Sequence, residues 1–319
     1  MRYIAISFIV LMFIVNMSLV MNKTKKVVRQ ESSPQETSPS KPQLAPPSDP
    51  ISPKQEVVPI FVEVPIYRQI AIDSVLSDVV SHIKGQPFRS GAKSTQAHET
   101  AHGIHSELRN SYSSSMSKKV NGFYVLQGRG VIVEEPKIRK SQVNYFVPEN
   151  LRSYRWQTYF IGQNAWDDTP TYIMDEWSAY VIGGKSCVDD YKKGTYKDGW
   201  TDGVSGCLDF SIYTLALCMA IEKNDPDYWK NNTQFKSFVS WQLRQACDTF
   251  VEGRSMDMFK WDKQDLLLKE LLTSKEAEPF RKMLKQEFDG VWLDIPTKVS
   301  LEDEQYEDYQ TVILSMKSP

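Results

Sequence analysis

Three of the chain's four histidines fall within eight residues, in the stretch Ser94-Thr95-Gln96-Ala97-His98-Glu99-Thr100-Ala101-His102-Gly103-Ile104-His105. His98 and His102 are four residues apart. On a helix their imidazoles share one face, about 40° apart around the axis, and both can reach a single metal ion. Glu99 sits beside that face, where its carboxylate could take a proton from water held by such an ion. His105 returns to the His98 face one turn beyond His102. Three ligands from one straight helix rarely close tetrahedrally around zinc, so His105 reads as lining the cleft or supporting a ligand.

A carboxylate of the same kind comes later, in the stretch from Asp167 to Gly184. It is punctuated as a helix, with Asp168 or Thr169 as cap, Pro170 in the first turn and Gly183-Gly184 as the stop. Glu176 shares a face there with Tyr172, Ile173, Ala179 and Tyr180. A charged group among such neighbours is costly unless something positive pairs with it. Zinc would be that partner, completing a His, His, Glu set with a fourth position open to water. The alternative is that Glu176 pairs with an arginine or faces solvent.

These residues need elements to hold them. Around the first helix Ala97, Ala101, Ile104 and Leu108 form an apolar stripe that adjoins the histidine stripe without overlapping it, as a half-buried ligand helix requires. Before it, Ile60 to Tyr67 reads as a strand that Pro65 marks as an edge or an end. Residues 70–84 read as a helix stopped by Gly85, with His82 as a structural residue. After it, residues 122–134 read as a hairpin, Phe123 to Leu126 and Val131 to Val133 around a turn at Gln127-Gly128-Arg129-Gly130. Such a strand could hold a peptide by edge pairing or could simply be a core hairpin. Helical apolar spacing then covers 206–223, 227–250, 262–273 and 276–288, a C-terminal helical part at about 205–290. The fold class expected is α+β: an active-site helix, a small sheet and a helical subdomain.

The ends of the chain differ in character. Residues 3–21 are an almost uninterrupted apolar run, long enough to span a bilayer, so 1–29 reads as a signal or membrane anchor with a basic flank. Lys23, Lys25, Lys26 and Arg29 follow it, which by the positive-inside tendency points the body toward the cytoplasm. The N-terminal position of the run favours export instead, to a periplasmic or extracellular location. Residues 30–56 are rich in Ser and Pro and read as a disordered stalk. The folded domain is expected over 57–296, with an acidic tail at 297–319. A net charge of −2 without a basic stripe argues against nucleic-acid binding. The four cysteines, Cys187, Cys207, Cys218 and Cys247, form no Cys-x-x-Cys pair. In an exported protein they allow the disulfides Cys187–Cys207 and Cys218–Cys247.

His98-Glu99-x-x-His102, followed by a helix bearing Asp175-Glu176-x-x-Ala179, resembles the gluzincin class of zinc metallopeptidases over roughly residues 94–184. The resemblance implies a zincin-like catalytic core with His98, His102 and Glu176 as zinc ligands. It makes Glu99 the general base and proton donor, and Tyr172 or Tyr180 the support for the oxyanion, with Tyr172 slightly preferred. Two departures stand out. Tyr180 occupies the position where thermolysin-like members carry an aspartate, so a carboxylate orienting a histidine must come from elsewhere, from Asp175 or Asp168. In addition, a helix precedes the ligand helix and a hairpin follows it, whereas the class places its sheet first.

The expected activity is zinc-dependent hydrolysis of peptide bonds in protein or cell-wall material, with the N-terminal segment as membrane contact. Two other readings stand beside it: a membrane-anchored surface binding or assembly domain without catalysis, and a zinc hydrolase acting on a non-peptide substrate.

Overall fold

The computed structural model describes residues 58–297 apart from Ser117, Asn164 and Ala165. The expected N-terminal segment at 1–29, the stalk at 30–56 and the acidic tail beyond Thr297 lie outside the described residues.

The body is α+β, mostly helical with one small antiparallel sheet. Strand β1 (Val62–Glu63) is followed by α1 (Val75–His82) and α2 (Lys93–Ser113), and then by the hairpin strands β2 (Val120–Tyr124) and β3 (Arg129–Glu134). Short helices α3 (Lys140–Asn144) and α4 (Tyr154–Trp156) lead into a π-helical turn at Gln157–Gly162. The long helices α5 (Tyr172–Lys192) and α6 (Ser205–Asn224) come next. The chain ends in α7 (Pro226–Asn231), α8 (Thr233–Gly253), α9 (Asp262–Thr273) and α10 (Glu278–Glu287).

Local chemistry sets the boundaries. α1 begins only at Val75, not at residue 70, because Ser74 accepts from the Ser77 backbone N–H while Ser77 caps Ser74 in return. Such a reciprocal box satisfies two orphan donors at a helix start. The single helix expected over 227–250 is divided at Asn232, whose side chain accepts from the Phe235 backbone and starts α8. α5 begins at Tyr172 after Thr171, whose N–H and hydroxyl both donate to Glu135.

Gly183-Gly184 does not stop α5, which runs eight further residues to Lys192. The glycines serve a different purpose there. A Cβ at Gly183 would lie 3.3 Å from the Ser94 carbonyl oxygen and 3.5 Å from the His98 Cβ, so α5 packs here against α2 with little space to spare. The helix stays intact because tertiary packing outweighs the roughly 1 kcal/mol that a glycine costs in a helix interior.

The sheet order is β1-β3-β2, with β1 on an edge as Pro65 suggested. β2 is buried along its whole length against α2, so the hairpin belongs to the core. Its turn carries three successive residues with positive φ: Leu126 (73°), Gln127 (57°) and Gly128 (65°).

The C-terminal helices do not form a separate subdomain. One hydrophobic core joins hairpin residues (Phe123, Val131, Val133), α5 (Ile173, Trp177, Val181) and α6 to α10, with Phe123 stacked on Phe238 of α8 at 5.0 Å. α6 is apolar and long enough to cross a membrane, yet it lies almost wholly inside this core. The stripe on α2 packs into a second cluster with Val79, Ile83, Tyr124, Ala179 and Ile182. Ala97, Ala101 and Ile104 are fully buried there, and side chains of the size of Ile104 contribute about 1.5–3 kcal/mol each.

The four cysteines are free thiols, so neither Cys187–Cys207 nor Cys218–Cys247 is bridged. Each sits where burial disfavours the thiolate that bridging chemistry needs. Burial pushes Cys187 up to about 11, Cys207 to about 12 and Cys247 to about 11, and raises Cys218 well above the ordinary thiol range.

Candidate metal centre

The two helices in closest packing, α2 and α5, bring the sequence-singled residues together. His98 and His102 project from α2 and Glu176 from α5. The two imidazole Nε2 atoms are 3.1 Å apart, and Oε2 of Glu176 lies 3.4 Å from His102 Nε2 and 3.7 Å from His98 Nε2. Glu176 is 4% exposed, and this Oε2 has no hydrogen-bond partner.

The protons explain why such a triangle needs a guest. Nδ1 of His102 lies 2.5 Å from Oδ1 of Asp175 and, facing a carboxylate, must carry the hydrogen. A neutral His102 therefore turns a bare lone pair toward His98 and Glu176. Three electron-rich atoms within 3.1–3.7 Å repel one another unless a proton or a metal ion lies among them.

The dimensions suit a metal. Donors about 2.0–2.1 Å from a tetrahedral ion are about 3.3 Å from one another, which falls inside the observed range. The donor chemistry, two imidazoles and a carboxylate, is that of zinc sites with an open position. A second grouping, His102, His105 and Asp175, also gathers ligand-type atoms. Its contacts of 2.5 and 2.9 Å are direct hydrogen bonds, shorter than the spacing of two donors on one ion. The expected set of His98, His102 and Glu176 is the one with room.

The charges follow from the surroundings. Burial, with His102 and His105 nearby, holds His98 well below the ordinary imidazole range, so its lone pair is free at neutral pH. At His102 burial acts in the same direction, but Glu176 and Asp175 outweigh it and raise the group well above that range. Without a metal, the cation in the triangle is the His102 proton. Glu99, next to His98 and half-buried, is raised by burial, lowered by His102 and raised again by Glu176, with a net upward shift.

Asp175, and not Asp168, is the carboxylate hydrogen-bonded to His102. Asp168 is exposed and pairs with Lys119. Asp175 is buried, and burial alone would raise it. The interactions with His105 and His102 prevail and hold it far below the usual carboxylate range.

The two tyrosines differ in their engagement. Tyr172 sits beside Glu176; burial, followed by that carboxylate, pushes the phenol well up. Tyr180 lies edge-on to the His98 ring at 4.6 Å, with its hydroxyl 3.0 Å from that of Tyr159. Arg155 lies over the Tyr180 ring at 4.8 Å and is itself buried between Asp209, at 2.5 Å, and Asp202, at 3.0 Å.

Sequence reading missed Tyr159, Arg155, Arg109 and Asn121. Arg109 follows His105 by one more turn on the same face, so extending the phase by four residues would have found it. Tyr159 lies in the π-helical turn, where no 3.6-residue pattern holds and no signal exists.

The fourth histidine, His82, is remote from this centre in partnership. Its Nδ1 meets Ser81, Asp78 and Tyr124.

Comparison of the chain with protein-family models, with curated proteins and with solved structures finds no match in any of the three.

Proposed function

We propose that this protein is a zinc-dependent peptidase of gluzincin type, built on a zincin-like core. The observation that carries the reading is the triangle of His98, His102 and Glu176, whose buried carboxylate oxygen makes no hydrogen bond among the described residues and faces two imidazole nitrogens. These three residues would hold a zinc ion, which would supply Lewis-acid chemistry to water and to a substrate carbonyl. Glu99 would take a proton from the attacking water and return it to the leaving amine. Its upward shift brings it toward neutrality, where one carboxylate can serve as base and then as acid. Tyr180, beside His98, donates toward the carbonyl oxygen as it gains charge, with the Tyr159 hydroxyl behind it. Tyr172, placed slightly ahead of Tyr180 by sequence alone, lies beside Glu176 with its ring against Trp166.

The substrate class is a peptide, in protein or cell-wall material, with a nucleic acid disfavoured by charge. The proposed setting is outside the cytoplasm, tethered through residues 1–29, and the free thiols remove disulfides as a support for that setting.

The test is zinc content and peptide hydrolysis of the parent beside Glu99→Gln. One zinc per chain in both, with hydrolysis lost by at least ~100-fold only in the variant, is the expected result, since general-base catalysis contributes about 10²–10⁴-fold. Zinc retained with no turnover of any peptide, or a binding activity that survives Glu99→Gln, would instead favour a non-catalytic surface domain. Turnover of another bond class would favour the non-peptide hydrolase. A parent that takes up no zinc would overturn the reading.

A further inference from the structure

His105 is a costly residue for its place. It is wholly buried, its Nε2 has no hydrogen-bond partner, and its ring lies edge-on to Phe123 in the core. A buried polar atom left without a partner costs about 1–3 kcal/mol, and a leucine would fill the same space without that cost. The compensation lies on the other side of the ring. Nδ1 is 2.9 Å from Oδ1 of Asp175, the same oxygen that receives the His102 Nδ1–H at 2.5 Å. The anion can only accept, so both imidazoles must carry their hydrogen on Nδ1. The orphan Nε2 of His105 is the direct result of committing Nδ1 to Asp175.

The carboxylate is thereby fixed at both ends. Arg109 approaches Oδ2 at 3.3 Å, and the same guanidinium nitrogen donates to Asn121 at 3.1 Å. With two imidazoles on one oxygen and a guanidinium on the other, Asp175 cannot rotate about its χ2 without breaking a bond. His102 and His105 are three residues apart on α2 and reach one acceptor on α5 from the same face. Asp175 and Glu176 are consecutive, so α5 serves the front of His102 with one residue and its back with the other.

We infer that His105 is a positioning residue for His102: by sharing Oδ1 of Asp175 it fixes the carboxylate that sets the ring plane and the tautomer of the metal-facing imidazole. The inference rests on the zinc reading of His98, His102 and Glu176. Partners behind metal-binding histidines are worth about 10–100-fold in affinity.

The experiment measures zinc affinity by chelator competition and metal-free stability in urea for the full chain and three variants. His105→Leu keeps the volume and removes the donor. His105→Asn keeps an N–H two bonds from Cβ, as Nδ1 is, and His105→Gln moves it one bond farther. Zinc affinity is expected to fall about 10–100-fold in His105→Leu and His105→Gln and to stay within about threefold of the parent in His105→Asn. The metal-free urea midpoint reports packing and is not expected to follow that order. If His105→Leu does not fold, the contrast between Asn and Gln decides alone. Equal zinc affinity in all folded variants, or losses that track the urea midpoint, would overturn the inference while leaving the zinc site standing. A parent without zinc removes both.

Discussion

The molecule builds two clusters from the same materials, and they behave differently. One joins His82, Asp78 and Tyr124 behind the hairpin turn; the other joins His98, His102, Glu176 and Tyr180 between α2 and α5. Both are histidine, carboxylate and phenol in a largely buried setting. Around His82 the polar groups close on one another. Tyr124 donates to Asp78 Oδ1 at 2.7 Å, the Gln127 backbone donates to Oδ2 at 2.7 Å, and the Gly128 backbone donates to the Tyr124 hydroxyl at 3.2 Å. Those bonds hold the positive-φ turn at 126–128, so the cluster is scaffold. Between α2 and α5 the lone pairs converge and one carboxylate oxygen has no donor. Residue type does not separate a scaffold from a site here. The balance of donors and acceptors does.

Three measurements bear on this contrast. The largest effect is expected from Glu176→Gln, which removes the charge and keeps the shape. Its zinc affinity should fall by more than ~100-fold, beyond what groups behind a ligand contribute, with the fold retained by circular dichroism. Affinity equal to the parent would remove Glu176 from the ligand set. Asp78→Ala should do the opposite. Zinc affinity should be unchanged, while urea unfolding loses about 2–4 kcal/mol, because Tyr124 and the Gln127 N–H are left buried without an acceptor. A loss of zinc in that variant would merge the two clusters into one functional unit.

The smallest effect is in the pH profile. In the metal-free chain His102 is raised and holds its proton at neutral pH, whereas His98 is lowered and holds none. Zinc must therefore displace one proton, so affinity should rise about tenfold per pH unit up to the raised His102 value and level off above it. Calorimetry in buffers of different ionisation enthalpy should find about one proton released at pH 7. Two protons would mean that the His98 assignment is wrong, and none would mean the same for His102.

The grouping of the candidate site residues was more legible in the sequence than the fold around them. The stripe Ala97, Ala101, Ile104 and Leu108 beside the His98–His102 face needed only helix geometry, and all four are buried. Glu176 stood out because a carboxylate among tyrosines needs a partner. The choice between Asp175 and Asp168 lay beyond sequence, since it depends on which side of α5 meets α2. Gly183-Gly184 misled because a local pattern was read where a tertiary contact decided. Asn232 went unnoticed as a cap inside a continuous apolar rhythm. The cysteine count allowed bridges, but burial inside one core is not visible in a count.

The contact of Gly183 with Ser94 and His98 has one more consequence. It fixes the distance between α2 and α5 by backbone rather than by side-chain reach, so the centre cannot widen unless the two helices separate. On the zinc reading, a cage of this size would discriminate by ionic radius. Calcium, with ligands at about 2.3–2.6 Å and six to eight of them, needs wider spacing and more oxygens than this triangle has. A small ion with a preference for nitrogen fits without any movement. On the zinc reading, the selectivity of the centre would rest partly on this close helix approach.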